Sequence, residues 1–483
     1  MKNVRIAIVG AGFSGIAAAL KLRAAGHRDI VVYERAADVG GTWLANTYPG
    51  VACDAPSHVY SYSFSQDVDW SRRFAPGPEI QAYLRRCVND GGIAELIHTG
   101  IEVRSATWSC GEWSIELSDG RTTYADVFVC AVGQLSEPAV PQLAGLPTFR
   151  GASFHTARWR HDIDLAGKHV AVVGTGASAI QVIPEIALTA EHLTVHQRSA
   201  PYVLKKPDGP YSPRLHRLYR LMPLLRAIAR QSIWLYLELI TLAYDRWPSA
   251  LKALELYHAR ILQHEVADPD LRQRLRPQFG IGCKRILISN DYYAALSRPN
   301  VTLVTDPIEA VETTGIRTAA ACHPVDVIVF ATGFRTTPFI STVTIRGRSG
   351  TTLADSWAER AGAYLGLSVP DFPNMFLMYG PNTNLGSGSI IHMLESQVAH
   401  IVDAADHLRR HPGDIIEISE SAFQRFLRDL EHRQRTSVWV GCRTWYHDRS
   451  GRDTHNWPWL TSTYRRRTRR IAAADYGLDR PRP

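Results

Sequence analysis

No C-x-x-C spacing occurs among the seven cysteines, which stand scattered at 53, 87, 110, 130, 283, 322 and 442. That pattern argues against a disulfide framework, a zinc ribbon and a dithiol redox pair; no metal is expected, and a reducing cytoplasm fits best. No apolar run reaches the ~20 uninterrupted residues that a bilayer span needs. Ser232 to Tyr244 comes nearest, but Glu238 breaks it and Arg226 and Arg230 precede it. It reads as a helix buried against the rest of the protein or lying on an interface, with burial favoured. The apolar N-terminus, Val4 to Leu20, is interrupted by Gly10, Gly12 and Gly15 with no cleavage site after it, which argues against a secretory signal. The dense basic run Arg465-Arg466-Arg467-Thr468-Arg469-Arg470 has no helix-turn-helix, finger or RNP pattern around it, so it reads as a solvated face gripping the chain's own acidic groups and not as a nucleic-acid patch.

What the chain does hold is too much sequence for one core. Its 483 residues exceed the ~250–300 at which a single hydrophobic core stops growing, so at least two packed units are expected. A net charge of +8 points towards an anionic ligand. Two segments repeat one plan of apolar strand, glycine-rich turn, amphipathic helix and second strand. The first runs Arg5-Ile6-Ala7-Ile8-Val9 into Gly10-Ala11-Gly12-Phe13-Ser14-Gly15, a helix to about Ala25, then Ile30-Val31-Val32-Tyr33-Glu34. The second runs His169-Val170-Ala171-Val172-Val173 into Gly174-Thr175-Gly176-Ala177-Ser178-Ala179, a helix to about Leu188, then Leu193-Thr194-Val195-His196-Gln197-Arg198.

A lone G-x-G-x-x-G carries little weight, but each copy here follows a continuous apolar run typical of a buried parallel strand and opens a helix. The glycines permit a tight turn and close backbone approach, so the free N–H groups and positive dipole end of the helix can hold a pyrophosphate. Ala179 replaces the last glycine of the second copy, a change that helix–strand packing tolerates. Glu34 can accept hydrogen bonds from ribose hydroxyls and would repel a 2′-phosphate, whereas Arg198, at the matching place, would attract one. A solvated strand-end arginine is the plainer alternative at 198. The pair reads as FAD first and NADPH second, in an α/β fold of two Rossmann-like dinucleotide-binding domains.

Ala125 to Gly133 and its near copy Val325 to Gly333 read as strands that return the chain from one nucleotide domain towards the other. Pro138, Pro141 and Pro147 mark the first linker and Pro338 follows the second. The expected organisation is a discontinuous FAD domain, 1–145 with 336–483, around an NADPH domain, 146–335, that carries a helical insertion at about 205–275. A strand and turn at Pro373 to Asn382 leading to a helix from about Ser389 to Leu408 complete the flavin domain.

Two such folds in this order resemble the two-dinucleotide flavoproteins, and the missing C-x-x-C removes the disulfide reductases among them. Phe149-Arg150-Gly151-Ala152-Ser153-Phe154-His155-Thr156-Ala157-Arg158-Trp159 then matches F-x-G-x-x-x-H-x-x-x-W, the fingerprint of type I Baeyer-Villiger monooxygenases of the flavin-containing monooxygenase superfamily. The family pattern continues with Pro or Asp, where this chain has Arg160 and reaches Asp162 two residues later. Other segments similar to the family include Gly40-Gly41-Thr42-Trp43, Tyr48-Pro49-Gly50, Gly282-Cys283-Lys284-Arg285, Ala331-Thr332-Gly333-Phe334 and Asn456-Trp457-Pro458.

The resemblance implies an FAD- and NADPH-dependent enzyme that inserts one oxygen atom of O2 beside a ketone carbonyl, through a C4a-peroxyflavin, to give an ester or lactone. Oxygenation of a nitrogen or sulfur centre is the alternative. It implies that Arg285 is the catalytic cation, positioned by Asp54, and that both touch the cofactors; a plain Asp54–Arg285 salt bridge is the simpler alternative. Gly41, Thr42, Trp43, Tyr60 and Val103 join Gly10, Gly12, Ser14, Gly15 and Glu34 around FAD. Gln181, Ser199 and Lys284 join the second glycine turn and Arg198 around NADPH. His155 is expected to be structural. The partners implied are a small ketone and O2, with neither nucleic acid nor a transmembrane segment.

Overall fold

The computed structural model describes residues 3–336, 339–442 and 444–479, so Pro338 lies outside the described residues. The strand Ile6–Val9 is buried at every position, as a continuous apolar run predicts for a parallel strand covered on both faces. The helix that follows, Phe13–Ala24, is apolar nearly all round and buried to match. Its alanines Ala17, Ala18 and Ala19 are wholly enclosed, which lets the sheet close on one side and the long helix Ile390–Arg410 on the other. Small side chains there are what make three layers fit.

Two five-stranded parallel sheets organise the molecule. The first has the order 375–377, 127–130, 6–9, 30–34, 97–99, and the second 301–304, 192–196, 169–173, 327–330, 152–155. In each, the strand leading into the glycine turn sits at the centre, between the strand that ends in Glu34 or approaches Arg198 and the return strand. This is the switch point of a doubly wound sheet, where ligands bind outside the carboxyl ends of the strands. The fingerprint segment supplies the edge strand Ala152–His155 of the second sheet, with His155 opposite Phe330.

Each return strand is shorter than the sequence reading had it. Asp126 divides the first into Thr122–Ala125, which joins an antiparallel sheet, and Val127–Cys130, which enters the parallel one. Its carboxylate accepts the Arg5 backbone N–H at 2.9 Å and pairs with the Arg5 guanidinium. Asp326 divides the second in the same way and accepts the His169 N–H at 2.9 Å. Each aspartate thus fixes the start of the strand that carries the glycine turn.

The insertion forms the helices Pro213–Leu221, Pro223–Arg246, Lys252–Glu265 and Pro269–Arg274. Here one expectation is corrected: Ser232 to Tyr244 is only half covered. Thr241 and Tyr244 turn inward, while Leu235, Tyr236 and Leu239 stay exposed in line with Leu224 and Ile228. Apolarity alone does not say which side of a helix finds a neighbour. Among the described residues no helix is long and apolar enough to cross a membrane. Glu238, which interrupts the run, is buried and accepts four hydrogen bonds, from the backbone N–H and hydroxyl of Thr461 and of Ser462, at 2.7–3.2 Å. It therefore caps the helix Thr461–Thr468, whose basic last turn complements the carbonyl end of the dipole. That helix end is the exposed arginine run, and Arg467 also lies over the Trp459 ring at 5.0 Å.

Candidate active site

Both glycine turns are shaped by a backbone collision. Gly10 (φ +101°) and Gly174 (φ +116°) adopt a conformation that side-chain-bearing residues avoid, and a Cβ on either would lie 2.6 or 2.5 Å from the carbonyl oxygen of Ala131 or Ala331. The helices they lead into start at Gly12 and Ser178, and neither start has a side-chain cap. Free N–H groups therefore face the cavity at both turns, a ready site for an anion.

Beyond this the two differ. A Cβ on Gly15 would sit 1.8 Å from the Gly10 oxygen, so nothing larger fits, whereas Ala179 stands at the equivalent place in the second turn. Gly12 faces the backbone of Gly41, 3.6 Å from where its Cβ would be, while around Gly176 there is nothing within 4 Å. Glu34 is buried, its carboxylate accepting N–H groups from Ala11 at 2.7 Å and Ala36 at 2.8 Å. Arg198 is exposed. Lys284 donates to the Ser199 hydroxyl at 3.0 Å, and burial together with Arg198 lowers its pKa, which leaves two cations facing the region where a 2′-phosphate would lie.

One cavity of about 1850 Å³ runs between the turns, well above the ~300–1,000 Å³ of single-ligand pockets. Of the residues singled out from sequence, Gly10, Gly12, Ser14, Glu34, Gly41, Thr42, Trp43, Asp54, Tyr60 and Val103 line it, as do Gly174, Thr175, Gly176, Ala177, Ser178, Gln181, Arg198, Ser199, Lys284 and Arg285. Gly15 and Ala179 do not: they pack behind the turns. Gln134 lines the cavity with its Oε1 buried and without a hydrogen-bond partner, an acceptor left for a ligand donor. The open cradle at Gly176, the uncapped helix starts and the Gln134 oxygen all fit two dinucleotides.

Arg285 and Asp54, 231 positions apart, meet across this cavity. The guanidinium donates through Nε at 2.7 Å and Nη2 at 2.8 Å to the two carboxylate oxygens, a bidentate fork. Burial opposes ionisation of Asp54, but Arg285 outweighs it and holds the carboxyl below its usual range. The carboxylate in turn raises Arg285, against its own burial, so the arginine stays charged at any working pH. Lys206 adds a second cation nearby, its pKa lowered by burial.

Three features escaped the sequence reading. Tyr379 and Tyr446 line the cavity and interact electrostatically with Arg285; burial raises both phenols, Tyr446 to about 12, so both keep their protons, and Tyr379 donates its own to Asn384 Oδ1 at 3.0 Å. Gln181, expected only around NADPH, spends its amide on a strap between the units: it donates to the Ala52 carbonyl at 2.9 Å and accepts from the Tyr48 hydroxyl at 2.8 Å. Cys283 and Cys442 form a disulfide with Cα atoms 5.8 Å apart. This corrects the expectation that the scattered cysteines form no disulfide framework: spacing along the chain says nothing of a pair 159 positions apart that the fold brings together. His155 is buried, its Nδ1 accepting the Ala157 N–H at 3.1 Å and its Nε2 without a hydrogen-bond partner.

Comparison with known proteins shows the family. Residues 3–351 match the flavin-binding monooxygenase-like family. A Baeyer-Villiger monooxygenase of Pseudomonas aeruginosa is 39% identical over 99% of this chain and 92% of its own length. One of Streptomyces coelicolor is 40% identical over 100% and 94%. Among solved structures, an oxidised steroid monooxygenase bound to NADP superimposes with a TM-score of 0.87 at 31% identity, covering 97% of both chains. A closed cyclohexanone monooxygenase gives 0.88 at 28% identity over 99% of both.

Proposed function

The chain belongs to the flavin-binding monooxygenase-like family as an FAD- and NADPH-dependent Baeyer-Villiger oxygenase, and on that premise we propose that it converts a small ketone to an ester or lactone with Arg285 as the catalytic cation. The observation that carries the assignment of Arg285 is its bidentate pairing with Asp54 inside the cavity that both glycine turns line. We assign residues 1–145 with 336–483 to the unit that holds FAD, through Gly10, Gly12, Ser14 and Glu34, and residues 146–335 to the unit that holds NADPH, through Gly174, Gly176, Arg198 and Lys284. When bound, these cofactors supply the electrons and the activation of O2.

The chain's own residues do the rest. Arg285 is permanently charged and sits where it can hold negative charge on the reacting oxygen and on the carbonyl oxygen as it becomes tetrahedral. Asp54 fixes the plane of the guanidinium, leaving one nitrogen for those oxygens. The Tyr446 hydroxyl, kept protonated by burial, adds a donor to the same space, while that of Tyr379 is held by the Asn384 side-chain oxygen. A cytoplasmic setting completes the reading, since NADPH is regenerated there.

NADPH oxidation with a panel of ketones, followed by product mass analysis, tests this. A product heavier by one oxygen, labelled from ¹⁸O₂, is the expected result. Oxygen transfer to sulfides or amines with no ketone turned over would replace it with the nitrogen or sulfur reading.

A further inference from the structure

The bonded cysteines join the two units beside the cavity, which Cys442 lines and Cys283 does not. Cys283, buried, lies two residues before Arg285 in the unit assigned to NADPH; Cys442, half-buried, lies four before Tyr446 in the C-terminal part of the unit assigned to FAD. The surroundings press these segments together. Tyr202, Tyr244, Leu251, Ile281, Trp439 and Tyr446 form one buried cluster there. A Cβ on Gly282, itself at φ +88°, would come within 3.3 Å of Tyr244, Leu251 and Val438. Packing of this kind brings the two sulfurs close enough for the bond to form. The other five cysteines are free, so among the described residues this is the single covalent link, and it joins the two units.

In a reducing cytoplasm a disulfide is transient, catalytic or redox-sensing more often than structural. We propose that Cys283 and Cys442 form a redox-controlled staple between the two units at the edge of the active-site cavity. Closed, it holds Arg285 beside Asp54 and the Tyr446 phenol; open, it lets the Lys284–Arg285 turn withdraw while the nicotinamide cofactor exchanges. The consequence for catalysis rests on the ketone-oxygenation reading, whereas the bond itself does not.

The oxidant is hydrogen peroxide. The Cys442 sulfur, the more exposed, attacks one peroxide oxygen; the O–O bond breaks, leaving a sulfenic acid and, with the thiol proton, one water. The Cys283 sulfur then attacks the Cys442 sulfur, the S–S bond forms as the S–O bond breaks, and a second water leaves. Two thiols have given up two electrons and two protons. A small dithiol reductant reverses the change and is itself oxidised to a disulfide.

The test treats the holoenzyme with one equivalent of hydrogen peroxide or with dithiothreitol, unfolds it, and counts thiols by alkylation and mass. Five free thiols after peroxide and seven after reduction are expected, from the seven cysteines and the one bonded pair, with peptide mapping joining 283 to 442. On reduction, ester formed per NADPH consumed should fall about tenfold, the scale of a small misplacement of a catalytic group. Cys442→Ser should show the reduced value in either buffer. Dissociation of NADP⁺ in stopped flow, which needs no ketone, should be several-fold faster in reduced protein and in that variant. Seven thiols after peroxide, or a bond between other cysteines, overturns the staple. So do five thiols with coupling and NADP⁺ release alike in both states, since the bond then only stabilises. If thiol count and NADP⁺ release switch together but no ketone is oxygenated in either state, the staple stands and the ketone reading falls.

Discussion

The first nucleotide turn is shut and the second is open. Around the first, Gly15 leaves no room for a methyl group against the Gly10 oxygen, Gly41 covers Gly12, and Glu34 is buried and tied to two backbone N–H groups. Around the second, an alanine stands where Gly15 would be, nothing covers Gly176, and Arg198 reaches solvent. On the assignment proposed above, the first turn would keep its ligand through many cycles and the second would take a ligand and let it go. What separates the two is how closely the rest of the chain approaches the glycines.

The largest expected effect is on the shut turn. Gly15→Ala forces a methyl group into a backbone oxygen that has nowhere to move, at about 3 kcal/mol or more. The protein should purify colourless or not fold; normal flavin absorbance per chain, with an unchanged melting temperature, would break the comparison. Next comes the pair that bridges the turns. Arg285→Ala should lower the rate of ketone conversion ~10²–10³-fold, about 3–4 kcal/mol in barrier height, while FAD stays bound. Arg285→Lys should recover little of this, lacking the planar fork, and Asp54→Ala should show a milder loss. Steady-state conversion beside flavin absorbance separates these outcomes, and ester formation at the parent rate in Arg285→Ala would defeat the assignment.

On the open turn the effects shrink. Arg198→Ala should raise the KM for NADPH about tenfold, the worth of one charge-assisted contact, and leave that for NADH nearly unmoved. An equal rise for both would mean that the arginine is only a solvated strand end. The smallest change expected is Ala179→Gly, which restores the missing glycine of the second turn. It should cost only the ~0.5–1 kcal/mol of a helical glycine, visible in thermal melts and not in flavin content. A loss as large as that of Gly15→Ala would show the two turns to be equally tight after all.

Both turns were legible in the sequence because everything that makes them is local: an apolar run, two or three glycines, a helix start and a polar residue at a fixed interval. Glu34 and Arg198 could be read for the same reason. Long-range meetings were not legible in that way. Nothing in the pattern around Tyr379 or Tyr446 says that they face Arg285, and no spacing links Cys283 to Cys442. Arg285 and Asp54 were paired through the family likeness alone. Asp126 and Asp326 sit inside apolar runs that look unbroken until backbone N–H groups are seen to need their carboxylates. The outer face of the helix Pro223–Arg246 was misjudged because hydrophobic runs report a helix and not its neighbours.

Glu238 carries a last consequence, for how far the chain can be shortened. Every hydrogen bond shown for its buried carboxylate comes from Thr461 and Ser462, more than 220 positions downstream. A form of the protein trimmed back to Leu460 would retain both glycine turns and the whole insertion in its sequence, yet leave that carboxylate enclosed without a donor. The insertion would come loose at one end, and the helix Ile390–Arg410 would lose the packing of Thr461–Thr468 and of the buried Tyr464 and Tyr476. Residues 461–479 are therefore part of the floor on which the middle of the chain rests, and trimming at that end is felt some 220 residues away as well as nearby.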